Sequence, residues 1–73
     1  MEKIFTQDES STIKRIKYLD DKSILEVEFR NGAAYHYFNV GPVVAKQALE
    51  SIKIGSYLNN YIKGTYEYKR VTL

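Results

Sequence analysis

Residues 23–30 show the clearest pattern in the chain, because apolar and polar side chains alternate from Leu25 to Arg30. Every second residue from Leu25 to Phe29 is apolar, and the residues between them are charged. A period of two residues is typical of a β-strand with one buried face. The flanking segments 12–19 and 33–40 are rich in β-branched and aromatic residues. The pattern therefore predicts three antiparallel strands in a meander.

The turn between the second and third strands determines which side chains share the buried face. The pair Asn31-Gly32 is a strong hairpin signal, because both residues tolerate positive φ. A two-residue loop made of this pair would place His36 on the face of Val27. A three-residue loop that also includes Arg30 would instead pair Val27 with Tyr35 and turn His36 to the other face. We favour the second register, because it gathers the apolar residues of both strands and the tyrosines on one face.

The region after the third strand predicts two helices. Gly41-Pro42 ends the sheet, and proline suits the first turn of a helix. Apolar residues then recur at helical spacing up to Ile52, which predicts an amphipathic helix of about three turns. A second, short helix follows Gly55, and Gly64 is a suitable C-terminal stop. The tail, residues 65–71, alternates again and predicts a closing strand.

These elements predict an α+β fold with the order β-β-β-α-α-β. Two short helices would pack on one face of the antiparallel meander, and the C-terminal strand would lie at the edge of the sheet. Residues 1–9 show neither period, and we interpret them as an N-terminal arm that precedes a single domain at residues 10–73.

Composition narrows the class of protein. The chain has 73 residues and no cysteine, so disulfides, thiolate metal sites and cysteine nucleophiles are excluded, and a reducing cytoplasm is the expected location. The longest apolar runs are far shorter than the roughly 20 residues that cross a bilayer, so no membrane is expected as a partner.

The net charge is +2. Residues 1–9 contribute −2, which leaves +4 on the remainder and is compatible with an anionic partner.

The sequence offers little for catalysis. His36 is the only histidine, which excludes metal sites built from several imidazoles and gives no Ser-His-Asp arrangement. Neither of the glycine-rich phosphate-binding patterns occurs. Glu26 and Glu28 share one strand face, and a solvated sheet face is the simpler interpretation of that pair. We therefore expect a protein that is not an enzyme and that needs no cofactor and no metal.

Tyrosine is the unusual excess, with seven in 73 residues. A tyrosine on a sheet can stack on a nucleic-acid base while nearby lysines contact phosphates. Tyrosine also fills the cores of small domains that lack tryptophan, so packing is the competing interpretation for each ring. Our leading prediction is a nucleic-acid-binding module, RNA in particular. Its predicted contacts are Tyr35, His36 and Tyr37 for stacking or polar contact, with Lys14, Lys17, Lys63 and Arg70 for phosphates.

Two other functions remain open at this point. One is a protein-interaction module, such as a homodimer formed by edge-strand pairing, although the lysine-rich first strand argues against it. The other is a pocket for a nucleotide-derived small ligand between the sheet and the second helix. The residues predicted for that pocket are Gly55, Tyr57, Asn59 and Lys63.

The order of several short motifs resembles the KTSC domain family over residues 10–69. They are the serine pair 10–11, Tyr18, Leu25-x-Val27-x-Phe29-x-x-Gly32, the central Tyr35-x-Tyr37, Val40, Gly55-x-Tyr57-Leu58-Asn59-x-x-Ile62-Lys63 and Tyr66-x-Tyr68. The resemblance implies a short domain that occurs at the C-terminus of some lysyl-tRNA synthetases and alone in small bacterial and phage proteins. The attachment to a tRNA-handling enzyme suggests RNA binding, which is an inference from association.

Overall fold

Five antiparallel strands form one sheet in which the order along the chain is also the order in space. The computed structural model describes all residues from 1 to 73. Two helices and a π-helical turn, which continues the second helix directly, lie between the last two strands and complete an α+β fold. The strands are β1 (Glu2–Ile4), β2 (Ile13–Leu19), β3 (Ile24–Phe29), β4 (Ala34–Tyr37) and β5 (Tyr68–Val71). The helical elements are α1 (Pro42–Glu50), α2 (Ile54–Tyr57) and the π-turn (Leu58–Ile62).

Four strands precede the helices, where the pattern predicted three. The additional strand is β1, which pairs with β2. Its position is set by backbone hydrogen bonds: the Tyr18 amide donates to the Met1 carbonyl and the Phe5 amide donates to the Lys14 carbonyl, both at 2.8 Å. Three residues are too few to show a period, so the apolar pattern could not reveal this strand. Phe5, directly after it, is buried in the core.

The Arg30 side chain ties this N-terminal segment to the β3–β4 hairpin. Its Nε donates to the Ser10 carbonyl at 3.0 Å, and a terminal guanidinium nitrogen donates to the Phe5 carbonyl at 2.7 Å. Both acceptors lie outside the strands. A charged donor to a carbonyl is worth about 1.5–3 kcal/mol, so Arg30 is a structural residue.

The register of the central hairpin is the one that we favoured. Val27 pairs with Tyr35 and Leu25 with Tyr37. Gly32 has φ of +94°, and the Phe29 amide donates to the Ala33 carbonyl at 2.8 Å across the three-residue loop. Both tyrosines of β4 therefore face the helices, and the histidine between them faces the opposite side of the sheet.

The core lies between one face of the sheet and the helices. It contains fourteen buried apolar residues, contributed by the strands, α1, α2, the π-turn and two connecting segments that supply Phe5 and Val40. The Tyr18 hydroxyl donates to the Val40 carbonyl at 2.7 Å, which joins β2 to the segment that enters α1. The prediction that α1 reaches Ile52 was wrong, because the helix ends at Glu50 and Ile52 is 91% exposed in the following loop. The helices lack the length and the hydrophobicity of a membrane-spanning segment.

The second helix changes its winding before it ends. The Lys63 amide donates to the Leu58 carbonyl at 2.8 Å, a bond across five residues that defines a π-turn. Gly64 then adopts φ of +81° and terminates the element, as expected for a glycine at a helix C-terminus. The wider turn brings Lys63 against the sheet, where its ammonium lies 5.6 Å from the centre of the Phe29 ring.

Candidate functional site

Four aromatic rings from three strands line a cleft between the sheet and the end of the π-turn. The cleft has a volume of about 410 Å³. We call the following set of residues the aromatic cleft: Phe29, Tyr35, Tyr37, Lys63, Gly64 and Tyr68. The rings meet here because the registers of β3, β4 and β5 place alternate residues of each strand on this face.

The rings of the aromatic cleft hold one another in place. Tyr35 meets Phe29 and Tyr68 edge to face, with ring centres 5.9 and 5.8 Å apart. Tyr37 and Tyr68 lie 5.8 Å apart with a tilt of 41°. Such pairs contribute about 0.5–1.5 kcal/mol each beyond simple burial. The cleft is therefore a preformed set of ring surfaces.

Burial separates the roles of these tyrosines. Tyr37 is only 3% exposed and belongs to the core, Tyr35 is half-buried, and Tyr68 is 62% exposed. Burial raises the pKa of the Tyr37 phenol, and the neighbouring Tyr35 and Tyr68 raise it further. Tyr37 is thus a neutral floor of the cleft at ordinary pH, and Tyr68 offers the ring surface that a visiting molecule can reach.

Lys63 supplies positive charge at the mouth of the cleft. It is exposed, and its ammonium rests over the Phe29 ring with no carboxylate in an ion pair. Arg70 is likewise free of ion pairs and exposed, and it pairs with Tyr35 across β4 and β5, so it leaves the sheet on the same face. Unpaired cations beside exposed rings are suited to contact an anionic group.

A second cleft of about 580 Å³ continues from the first. We call it the polar cleft; it is lined by Ser11, Thr12, Ile13, Phe29, Arg30, Asn31, Gly55, Leu58, Asn59 and Lys63. Phe29 and Lys63 line both clefts, so the two clefts are adjacent and share a wall. Arg30 is occupied by the backbone carbonyls described above, which leaves Lys63 as the free cation of the polar cleft.

The opposite face of the sheet carries a self-neutralising charge cluster. The Arg15 guanidinium lies 3.0 Å from a Glu28 carboxylate oxygen and 3.4 Å from one of Glu2. The His36 Nε2 lies 2.8 Å from a Glu26 oxygen. These contacts pair Arg15 and His36 with carboxylates of the same face, whereas Lys17 and Lys69 on this face are exposed and form no ion pair.

The structure divides the residues that the sequence suggested. Tyr35, Tyr37 and Lys63 line the aromatic cleft, with Arg70 beside them. His36 and Lys14 lie on the opposite face in contact with Glu26 and Glu28, and Lys17 is exposed on that face. Of the alternative pocket, Gly55, Asn59 and Lys63 line the polar cleft. Tyr57 does not, because its hydroxyl donates to Gln47 Oε1 at 3.0 Å beside α1.

Two important rings were not among the suggested site residues. Phe29 was assigned to the core and Tyr68 to an edge strand, yet both line the aromatic cleft. A signal for Tyr68 existed, since Tyr66 and Tyr68 alternate with charged residues in the tail. No pattern within the sequence specifies that β5 pairs with β4 and brings Tyr68 beside Tyr37. No three His, Cys, Asp or Glu side chains are grouped to hold a metal ion.

Comparison with known proteins places these features in a family. The KTSC domain profile matches residues 9–71. An uncharacterised protein of Stutzerimonas stutzeri is 38% identical over 64 residues, which cover 86% of this chain and 90% of that protein. A KTSC domain protein of Yersinia pestis has a similar crystal structure, with a TM-score of 0.86, 24% identity and coverage of 97% and 96% of the two chains.

Larger proteins contain a similar region. A lysine–tRNA ligase of Nostoc punctiforme is 31% identical over 64 residues, and one of Trichormus variabilis is 34% identical over 65 residues. In each comparison the match covers 88% of this chain and 11% of the ligase. The chain therefore spans about one ninth of the length of these ligases.

Proposed function

Because this chain belongs to the KTSC domain family, we propose that it is a non-catalytic module that binds RNA at the aromatic cleft. The observation that carries the proposal is the exposed Tyr68 ring in one cleft with the unpaired Lys63 ammonium. Ring stacking on a base contributes about 1–3 kcal/mol per base, and an unpaired lysine nearby can neutralise a phosphate.

In this proposal each residue has a distinct task. Tyr68 and Tyr35 provide the stacking surfaces, and Lys63 and Arg70 contact phosphates. Tyr37 supports the rings from below. Lys14, Lys17 and His36 lie on the other face, and the proposal gives them no contact with the same RNA segment.

The comparisons support RNA as the first ligand to test. A region similar to this chain occurs in lysine–tRNA ligases, whose name states that they act on tRNA. From these ligases we carry over to this chain only the contact with RNA. The formal charge of +2 and the free cations around the cleft are compatible with that contact.

A small nucleotide-derived ligand is the second candidate. The polar cleft favours it, because Gly55, Asn59 and Lys63 line one concave surface of about 580 Å³, within the usual size of small-molecule pockets. A mononucleotide would bind with weak dependence on salt, whereas an RNA chain would bind with strong dependence. A homodimer is the remaining alternative, and it would raise the molecular mass in a concentration-dependent way.

The test is a titration of a short labelled RNA by fluorescence anisotropy at low and moderate salt. Each phosphate on a single strand contributes a slope of about −0.7 in log affinity against log salt. A fourfold increase in salt should therefore weaken binding roughly 7- to 20-fold if two or three phosphates are contacted. Absence of binding at low salt would refute the proposal.

A pair of lysine variants locates the contact. Lys63→Gln should weaken binding and reduce the salt slope by about 0.7. The control is Lys22→Gln, which removes an exposed charge in the turn before β3, at the opposite end of that strand from Phe29. Equal effects of the two variants would show that binding follows net charge and not the cleft.

A further inference from the structure

Beyond RNA binding in general, and resting on it, we infer that the aromatic and polar clefts together form one site for a single unpaired ribonucleotide. The base would lie in the aromatic cleft against Tyr68, and the ribose with its phosphate would lie along the polar cleft. Asn59 would contact the ribose 2′-hydroxyl. The first support for this inference is that Phe29 and Lys63 line both clefts.

The two clefts differ in chemistry as the base and the ribose of a nucleotide differ. Four of the six residues around the aromatic cleft are aromatic, which suits the flat apolar face of a base. The polar cleft is lined by hydroxyl and amide side chains, those of Ser11, Thr12, Asn31 and Asn59. Such groups both donate and accept hydrogen bonds, which suits the hydroxyls of a ribose.

Asn59 is the polar side chain best placed for this contact. It is exposed, lines the polar cleft and makes no hydrogen bond within the chain. The Asn31 Oδ1, by contrast, already accepts from the Ala33 amide at 3.0 Å. Asn59 is the second residue of the π-turn, and Lys63 directly follows the turn. Both line the polar cleft, and π-turns are frequent at functional sites.

The position of Lys63 fits a nucleotide that spans both clefts. Lys63 lines both clefts, and its ammonium lies 5.6 Å from the centre of the Phe29 ring, which also lines both. A phosphate attached to a base in the aromatic cleft is therefore within its reach. The polar cleft holds no other free cation, since Arg30 is bonded to two backbone carbonyls. A base must be unpaired to place its face against a ring, so a duplex does not fit this arrangement.

The experiment compares three labelled probes of matched sequence: a single-stranded RNA, the corresponding DNA strand and the RNA as a duplex. We expect the RNA strand to bind about 3- to 10-fold more tightly than the DNA strand, the range for one hydrogen bond, and more tightly than the duplex at the same salt. Duplex binding as tight as single-strand binding would overturn the inference, although RNA binding itself would stand.

An asparagine pair tests the contact to the ribose. Asn59→Ala should weaken binding to RNA and leave binding to DNA unchanged, so that the RNA-to-DNA ratio approaches one. The control, Asn60→Ala, changes the adjacent exposed residue, which lines neither cleft, and should keep the ratio. An unchanged ratio in Asn59→Ala would overturn the inference. No binding of any probe by the unmodified protein would refute the proposed function, and the inference with it.

Discussion

Replacement of Tyr68 by alanine separates binding from stability, because the chain contains a matched control. Tyr68 is 62% exposed and Tyr61 is 59% exposed, and each ring packs against other tyrosines. Tyr68 lines the aromatic cleft, whereas Tyr61 lines neither cleft. The two variants thus remove tyrosine rings of similar exposure from different places.

The expected costs follow from these exposures. Each ring hides roughly 80 Å² from water, a burial worth at most about 2 kcal/mol. In a domain of this size a loss of 1 kcal/mol lowers the melting temperature by about 4–8 °C. Both variants should therefore remain folded at room temperature and melt earlier than the unmodified protein. The drop should be larger for Tyr68→Ala, because Tyr68 loses two aromatic pairs and Tyr61 loses one.

The affinity for RNA should distinguish the two. Loss of one stacked base costs about 1–3 kcal/mol, which corresponds to a dissociation constant roughly 5- to 150-fold larger. Tyr68→Ala should show this loss in the anisotropy titration, and Tyr61→Ala should bind within about twofold of the unmodified protein. If the two variants bind equally well while both are folded, the reasoning from the aromatic cleft is refuted.

Three further predictions concern the fold that supports the cleft. Tyr18→Phe leaves the Val40 carbonyl, which accepts from no backbone amide, without its donor and should destabilise the domain by about 1–3 kcal/mol in thermal unfolding; an unchanged melting temperature would contradict this. Gly55→Ala adds a methyl that meets nothing within 4 Å in a helix, so it should stabilise by about 0.5–1 kcal/mol; a lower melting temperature would contradict it. The Tyr37 pKa is raised by burial, so the folded state keeps this proton more tightly than the unfolded chain. The contribution of Tyr37 to stability is full below the unfolded pKa of about 10 and is lost as pH rises through the folded pKa. In denaturant unfolding, the free energy of unfolding should therefore fall less at alkaline pH for Tyr37→Phe than for the unmodified protein.

The sequence pattern predicted the parts of the fold that depend on local chemistry. The alternation in β3 identified the buried face, and Asn31-Gly32 with the grouping of apolar residues identified the hairpin register. β1 was missed because three residues held by backbone bonds leave no pattern. The π-turn was missed because its apolar positions, Leu58 and Ile62, also fit an ordinary helix.

The candidate site could be predicted only in part, because a cleft is made from distant segments. Lys63 and Tyr35 were identified from residue type, but their proximity depends on how the π-turn meets the sheet. The sequence assigned no partner to Arg30, and only the structure shows that it binds the Phe5 and Ser10 carbonyls. His36 and Lys14 were predicted as nucleic-acid contacts, and the structure places them against Glu26 and Glu28 on neighbouring strands.

The most direct test of the central claim is to map amide chemical shifts by NMR during a titration with single-stranded RNA. The account predicts that the largest changes occur around the aromatic cleft, at Tyr35, Lys63 and Tyr68, and then extend to Asn59. Changes centred on the opposite face of the sheet, around His36, or no changes at all, would contradict it.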